Sequence, residues 1–171
     1  MMKILFALFI FLFLVGCSEN HVEVDTMNVT SAAFQNGGRI PDKYTCAGDN
    51  VNPPLNVEGI PENAKSLVLI VEDPDAPRGN WVHWIVWNIF PVSRIPENKV
   101  PKDSVQGVND YGKNNYGGPC PPSGTHRYFF RVYALDTELK LNSSAKKADL
   151  VAATKGRILA KGELMGTYSR G

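Results

Sequence analysis

Two short segments of this chain gather the residue types that bind ligands or move protons. The first is Asp73-Pro74-Asp75-Ala76-Pro77, directly after an apolar run. Pro74 pushes Asp73 out of the helical region and Pro77 does the same to Ala76, so both carboxylates sit on a stiff, extended turn. Taken alone, such a turn uses its Asp side chains to bind local backbone N–H groups. The second segment is His126-Arg127-Tyr128, preceded by Gly117-Gly118-Pro119-Cys120-Pro121-Pro122-Ser123-Gly124. That loop is stiff, exposes backbone groups and leaves room for a cis X–Pro bond. His83 completes the set, inside the apolar stretch Trp81 to Ile89. Alternation along a strand puts Trp81, His83, Ile85 and Trp87 on one face and Val82, Trp84, Val86 and Asn88 on the other. Two histidines, a tyrosine, two carboxylates and a Gly/Pro loop are the parts of a small polar pocket.

The residue types narrow what such a pocket does. Nucleophilic catalysis lacks a Gly-x-Ser-x-Gly elbow, and Ser123 is near His126 in sequence only. A metal site has candidate ligands in Asp73, His83, His126, Cys46 and Cys120. No HExxH or CxxC spacing supports it, so no metal and no cofactor is expected. A Walker loop is absent. Anion binding by His, Tyr O–H and backbone N–H donors remains chemically reasonable. The carboxylates repel an anion unless they orient the histidines and raise their pKa, so that imidazolium donors face it.

The elements that must position these residues read as mostly β. Met27 to Phe34, Ser66 to Glu72, Trp81 to Ile89 and Tyr128 to Leu135 are expected strands, with a last one over Gly162 to Tyr168. Gly, Pro, Asn and Asp clusters separate them, and 12 prolines spread along the chain argue against long helices. One helix is expected, with Ser144 as N-cap and Ala145 to Lys155 as its body. The pattern is that of a single all-β sandwich domain with a helix near its end.

Composition sets outer limits. The 171 residues are 43% hydrophobic and 20% charged, which is ordinary for one globular core and excludes a disordered chain. A net charge of +1 removes the footprint of a nucleic-acid binder. At the N-terminus, Lys3 precedes the apolar run from Ile4 to Val15, which is too short for a bilayer span and suits a secretory signal. Leu14-Val15-Gly16-Cys17 resembles the bacterial lipobox. Residues 1–16 are then a signal peptide, Cys17 carries lipid, and 17–26 hold the lipidated cysteine and a polar tether before a domain over 27–171. Ordinary secretion with a free Cys17 is the alternative. Export leaves Cys46 and Cys120 as an even pair in an oxidising compartment, expected to form a disulfide; two free buried thiols are the alternative.

The two segments also resemble a known family. Ile70-Val71-Glu72-Asp73-Pro74-Asp75-Ala76-Pro77 with Trp81-Val82-His83-Trp84 is similar to the first signature of the phosphatidylethanolamine-binding protein family. Tyr116 to Tyr128 is similar to its second. The ending Gly162 to Arg170 resembles the bacterial, Raf-kinase-inhibitor-like branch. The resemblance implies a β-sandwich with a large antiparallel sheet, one or two short C-terminal helices, and a shallow pocket. It implies binding of phosphate or a phosphorylated headgroup without catalysis. Position by position it places Asp73, Asp75, Trp81, His83, Pro122, His126 and Tyr128 in that pocket. The carboxylates would shape and polarise it, His83, His126 and Tyr128 would offer donors, and Trp81 and Pro122 would form apolar walls. The stretch between Pro122 and His126 is short, and the C-terminal helix of eukaryotic members is lacking. The reading that results is a non-enzymatic lipoprotein of the bacterial cell envelope, facing the periplasm or held in the outer membrane, the latter favoured by Ser18 after the lipid cysteine. Its rivals are a protein-interaction module inhibiting a protease or kinase, and a hydrolase using His83 or His126 as base.

Overall fold

The computed structural model describes residues 24–170. The signal segment, Cys17 and most of the tether lie outside them. Nine strands and one α-helix follow in the order β1 (Asp25–Thr26), β2 (Asn28–Thr30), β3 (Leu55–Glu58), β4 (Ser66–Asp73), β5 (Trp81–Ile89), β6 (Arg94–Ile95), β7 (Val105–Gln106), β8 (Thr125–Leu135), α1 (Lys147–Thr154) and β9 (Ile158–Ser169). The larger sheet has the order β1-β9-β8-β4-β5-β7, antiparallel except where β1 runs parallel to β9. The smaller sheet is β2-β3-β6. Asp25 and Thr26, expected in the tether, already belong to the large sheet.

The continuous Leu/Val/Ile run of β4 has its cause in this order. β4 lies between β8 and β5, and all eight of its residues are buried. Strands covered on both faces lose polar alternation. One face packs Leu67, Leu69, Val71, Trp84, Val86, Phe130 and Val132 against Val29, Leu55, Val57 and Ile95 of the small sheet. The other face packs Val68, Ile70, Val82, Ile85 and Trp87 under Leu139, Ala145 and Leu150, the last from α1. Burying each such side chain is worth roughly 1.5–3 kcal/mol. The helix begins at Lys147 with Lys146 as N-cap, two residues later than the Ser144 cap expected, and β9 follows it over a span that contains the expected Gly162 to Tyr168 strand.

The face assignment for β5 needs correction. The pairing puts Val71 opposite Trp84 and Glu72 opposite Val82, so His83 is an extra residue in β5. This β-bulge reverses the alternation. Trp84 and Val86 join the core under the small sheet, while Ile85 and Trp87 join Val82 on the helix face. A second irregularity, between Leu67 and Leu69 of β4, coincides with Asn88 at φ 55°. No peptide bond among the described residues is cis, so the Gly/Pro loop is trans throughout.

Cys46 and Cys120 are joined by a disulfide, with Cα atoms 5.4 Å apart and a sequence separation of 74. It ties the Gly/Pro loop to the segment after the 3-10 turn Asp42–Tyr44. Closing a loop of that length stabilises by restricting the unfolded chain, by about 2–4 kcal/mol. Paired Cys46→Ala and Cys120→Ala replacement is therefore expected to lower the unfolding free energy by about that amount. Urea denaturation of the oxidised protein and the double variant measures it. An unchanged midpoint would show that the bridge does not hold the fold.

Candidate functional site

The site forms where β4 ends, β5 begins and β8 begins, at one end of the large sheet. Asp73 is the last residue of β4 and its side chain is 5% exposed. One carboxylate oxygen accepts the Asp75 N–H at 2.8 Å, the local turn contact that the proline-flanked segment favours. The other accepts from Nδ1–H of His126 at 2.8 Å. An ionised carboxylate only accepts, so Nδ1 of His126 carries the proton and Nε2 is left for other partners.

His83 is fixed the same way by a different acceptor. Its Nδ1 donates to the Gly117 carbonyl at 2.6 Å. A carbonyl has no proton to give, so the neutral ring has a bare Nε2. Burial pushes the His83 pKa down, against the smaller opposing pull of the Gly117 carbonyl and of Asp73. The expectation that nearby carboxylates hold both imidazoles as cations therefore fails at His83, where desolvation outweighs a charge that is already shared with His126. Tyr128 lies behind the two rings, with its centroid 5.3 Å from His83 and 6.5 Å from His126. Its hydroxyl is buried without a hydrogen-bond partner among the described residues. Burial first, then the charge of Asp73, raise its pKa and keep it protonated.

A cavity of about 320 Å³ opens in front of these groups. Its walls include Asp73, His83 and His126, with Trp81, Pro122 and Cys120. Sequence reasoning missed two further members. Tyr111 packs edge-on against both Trp81 and His83, at 5.4 and 5.6 Å. Arg78 brings a cation to the wall from the turn between β4 and β5. That turn closes with Gly79 at φ 95°, a left-handed conformation that glycine adopts without strain.

Tyr111 gave no signal because its position depends on Asn109. That buried amide donates to the His83 carbonyl at 3.1 Å and to the Asn115 carbonyl at 2.8 Å, and accepts from the Tyr111 and Lys113 N–H groups. It fastens the 109–115 loop onto the bulge. Gly117 N–H also donates to the His83 carbonyl, so the bulged residue holds the two loops together through its main chain. Gly118 then passes so close to the Tyr44 carbonyl that an added Cβ would lie 2.4 Å from it. Only glycine fits there.

Asp75 stands apart from the other expected residues. It does not line the cavity. Its two oxygens take the Arg127 guanidinium as a fork, at 2.9 and 2.7 Å, and one also accepts the Arg127 N–H. Its role is to clamp the β4–β5 turn onto β8. Tyr128 likewise lies behind the wall rather than in it. Among the described residues no three His, Cys, Asp or Glu side chains converge as metal ligands. A larger hollow of about 490 Å³ lies against β1 and β9, but its Arg131 is occupied by Glu163 and by the buried Glu72.

Fold and site together define a two-sheet β-sandwich with a histidine-lined cavity at one end of its larger sheet. The chain belongs to the phosphatidylethanolamine-binding protein family, whose model matches residues 30–169. A UPF0098 protein of Methanothermobacter thermautotrophicus is 51% identical over 156 residues, covering 85% of this chain and all of that one. A UPF0098 protein of Archaeoglobus fulgidus is 50% identical over 161 residues; the match covers 91% of this chain but 55% of that longer protein. Among solved structures, a phosphatidylethanolamine-binding protein homologue from Chlamydia trachomatis superposes with a TM-score of 0.82 at 46% identity. It covers 86% of this chain and 99% of its own.

The Asp75–Arg127 pair makes a pH prediction. The Arg127 guanidinium holds the Asp75 carboxyl at about 2, below its ordinary 3.8. A carboxyl depressed in the folded state stabilises above its unfolded pKa and loses that stabilisation as pH falls through the folded one. Stability should therefore decline from near pH 4 towards pH 2, and Asp75→Asn should flatten part of that decline. Urea midpoints across pH 2–6 for both proteins measure it; parallel curves would remove Asp75 from the acid transition.

Proposed function

We propose that this protein binds a small phosphorylated anion in the cavity and does not turn it over. The observation that carries the reading is the matched orientation of the two imidazoles. Each directs Nδ1 into the protein, to Asp73 or to the Gly117 carbonyl, and keeps Nε2 for a ligand. The two Nε2 atoms are not equivalent. Neutral His83 accepts, whereas His126 beside the Asp73 carboxylate donates from Nε2 in its protonated form. A monoprotonated phosphate or phosphomonoester presents both complements, a P–OH and a P–O⁻. Arg78 adds positive charge at the wall, and Trp81 and Pro122 give apolar sides to a headgroup.

Two features favour binding over hydrolysis. No Ser or Thr lines the cavity, and its one cysteine, Cys120, is held in a disulfide. The Asp73–His126 hydrogen bond has the form of an orienting carboxylate and a base, but among the described residues no side-chain nucleophile stands beside it in the cavity wall. We place the protein in a bacterial cell envelope, tethered by lipid on Cys17. The lipobox-like Leu14 to Cys17 supports this, and a disulfide suits an oxidising compartment.

Calorimetric titration of phosphate and phosphoethanolamine into the chain from Ser18 onward tests the proposal. One site per chain is expected. A lost charge-assisted hydrogen bond is worth about 1.5–3 kcal/mol, so His83→Ala and His126→Ala should each weaken binding by about tenfold or more. Asp75→Asn, outside the cavity, should leave affinity nearly unchanged. Absence of heat with either ligand would overturn the anion site and turn attention to a protein partner.

A further inference from the structure

We infer that the end of the sandwich opposite the cavity is a docking face for an anionic lipid surface. The inference rests on the membrane attachment proposed above. Phe90, the residue after β5, is 73% exposed. Val92 and Val100, exposed by 38% and 41%, lie with it around an open hollow of about 660 Å³. Large apolar side chains grouped on a surface mark an interaction site.

The rim identifies the partner. Arg94, Lys99 and Lys102 border this hollow. Lys65 and Lys140 border a second one on the other side of Phe90. Against these five cations stand three carboxylates, Glu62, Asp103 and Glu138. Among the described residues Lys65, Arg94, Lys99 and Lys140 make no ion pair, and Lys102 reaches Asp103 only at 3.9 Å. An aromatic tip ringed by unpaired, long-stemmed cations suits a negatively charged bilayer. The ring enters the interface, and the ammonium groups stay at headgroup level.

Sheet register supplies an independent argument. Asp25, Ala160, Ala134, Leu67 and Ile89 form one row across the large sheet. Strand β1 runs from this row towards the cavity end, parallel to β9. The chain therefore joins the sheet in the row that ends beside Phe90. A membrane anchor on the preceding residues pulls this end, and not the cavity end, towards the bilayer. The eight steps of β5, from Trp81 at the cavity to Ile89 beside Phe90, span roughly 26 Å at ~3.3 Å per residue. Docked this way, the cavity faces away from the lipid, open to ligands on the aqueous side.

The test uses the full chain with vesicles whose acyl chains carry bromine, a contact quencher of tryptophan. Phe90→Trp places a reporter on the docking face, and Ser123→Trp places one in the exposed loop at the cavity end. Wild-type Trp81, Trp84 and Trp87 give the background. With phosphatidylglycerol-containing vesicles, the quenching added by Phe90→Trp should be about threefold or more that added by Ser123→Trp, and added salt should reduce it. Lys99→Glu with Lys102→Glu should reduce it as well. Flotation with purely zwitterionic vesicles reports the anchor separately. A chain that floats there but shows no added Phe90→Trp quenching in anionic vesicles keeps the anchor and overturns the docking face. A chain that does not float there but shows the added quenching loses the anchor and keeps the face. If the Phe90→Trp signal instead changes with protein concentration in the absence of lipid, the face belongs to a second copy or another protein, and the inference falls.

Discussion

A carboxylate buried at the end of the most apolar strand is the constraint around which this site is arranged. An unpaired carboxylate in that position would cost several kcal/mol, enough to remove a large part of a domain's net stability. Asp73 is made tolerable by two hydrogen bonds, one from its own turn and one from His126. The turn contact needs the extended backbone that Pro74 enforces. The His126 contact needs β8 to pair beside β4 in its observed register. The Asp75–Arg127 clamp supports that register from the surface. Satisfying one carboxylate thus fixes the β4–β5 turn, the start of β8 and the tautomer of His126.

The neighbouring Glu72 shows why chemistry gathers on only one face. It is also buried, but it points to the other side of the sheet, where Arg131, Lys147 and Asn80 all reach it. A guanidinium, an ammonium and an amide saturate that carboxylate and leave it structural. Among the described residues no Lys or Arg pairs with Asp73. Its partner is an imidazole, which keeps its second ring nitrogen for other contacts. A buried carboxylate saturated by a guanidinium, an ammonium and an amide is closed to further partners, whereas one held by an imidazole leaves a ring nitrogen open beside the cavity.

Much of this was legible in the chain. The apolar runs located β4, β5 and β8, because a strand covered on both faces must be apolar throughout, and β5 runs over the expected Trp81 to Ile89. The proline-flanked carboxylates and the Gly/Pro loop pointed to the right end of the right strands. What failed depended on long-range pairing. Alternation was misread along β5 because the extra residue at His83 is visible only against its partner β4. Asp75 belongs to the pocket only by resemblance, because Arg127, next to Tyr128 in the chain, gives no sign in sequence of which carboxylate it will take. Tyr111 and Asn109 sit in a loop whose composition is that of any turn, and their role follows from hydrogen bonds to a main-chain carbonyl 26 residues away. Of the small sheet only β2 falls within an expected strand, Met27 to Phe34, of which just Asn28–Thr30 pairs; β3 and β6, of four and two residues, are too short to show a period.

The bulge explains how one short strand serves both a core and a site. Without it, His83 and Trp84 would point to opposite faces, and a pocket-facing His83 would place Trp84 among the residues under α1. The extra residue lets Trp81 and His83 line the cavity while Trp84, next in sequence, fills the core below it and donates its indole N–H to Gln106 at 2.7 Å. It also frees the His83 carbonyl from the β4 ladder to receive Gly117 and Asn109. The same residue therefore turns its ring to the cavity and its backbone to the two loops that frame it. With the loops anchored to the bulge, and the Gly/Pro loop also tied by the disulfide, the walls are set before a ligand arrives. Under the proposed anion binding, little ordering would be left to oppose it, and a cavity of about 320 Å³ would hold a small ligand with only a few polar contacts.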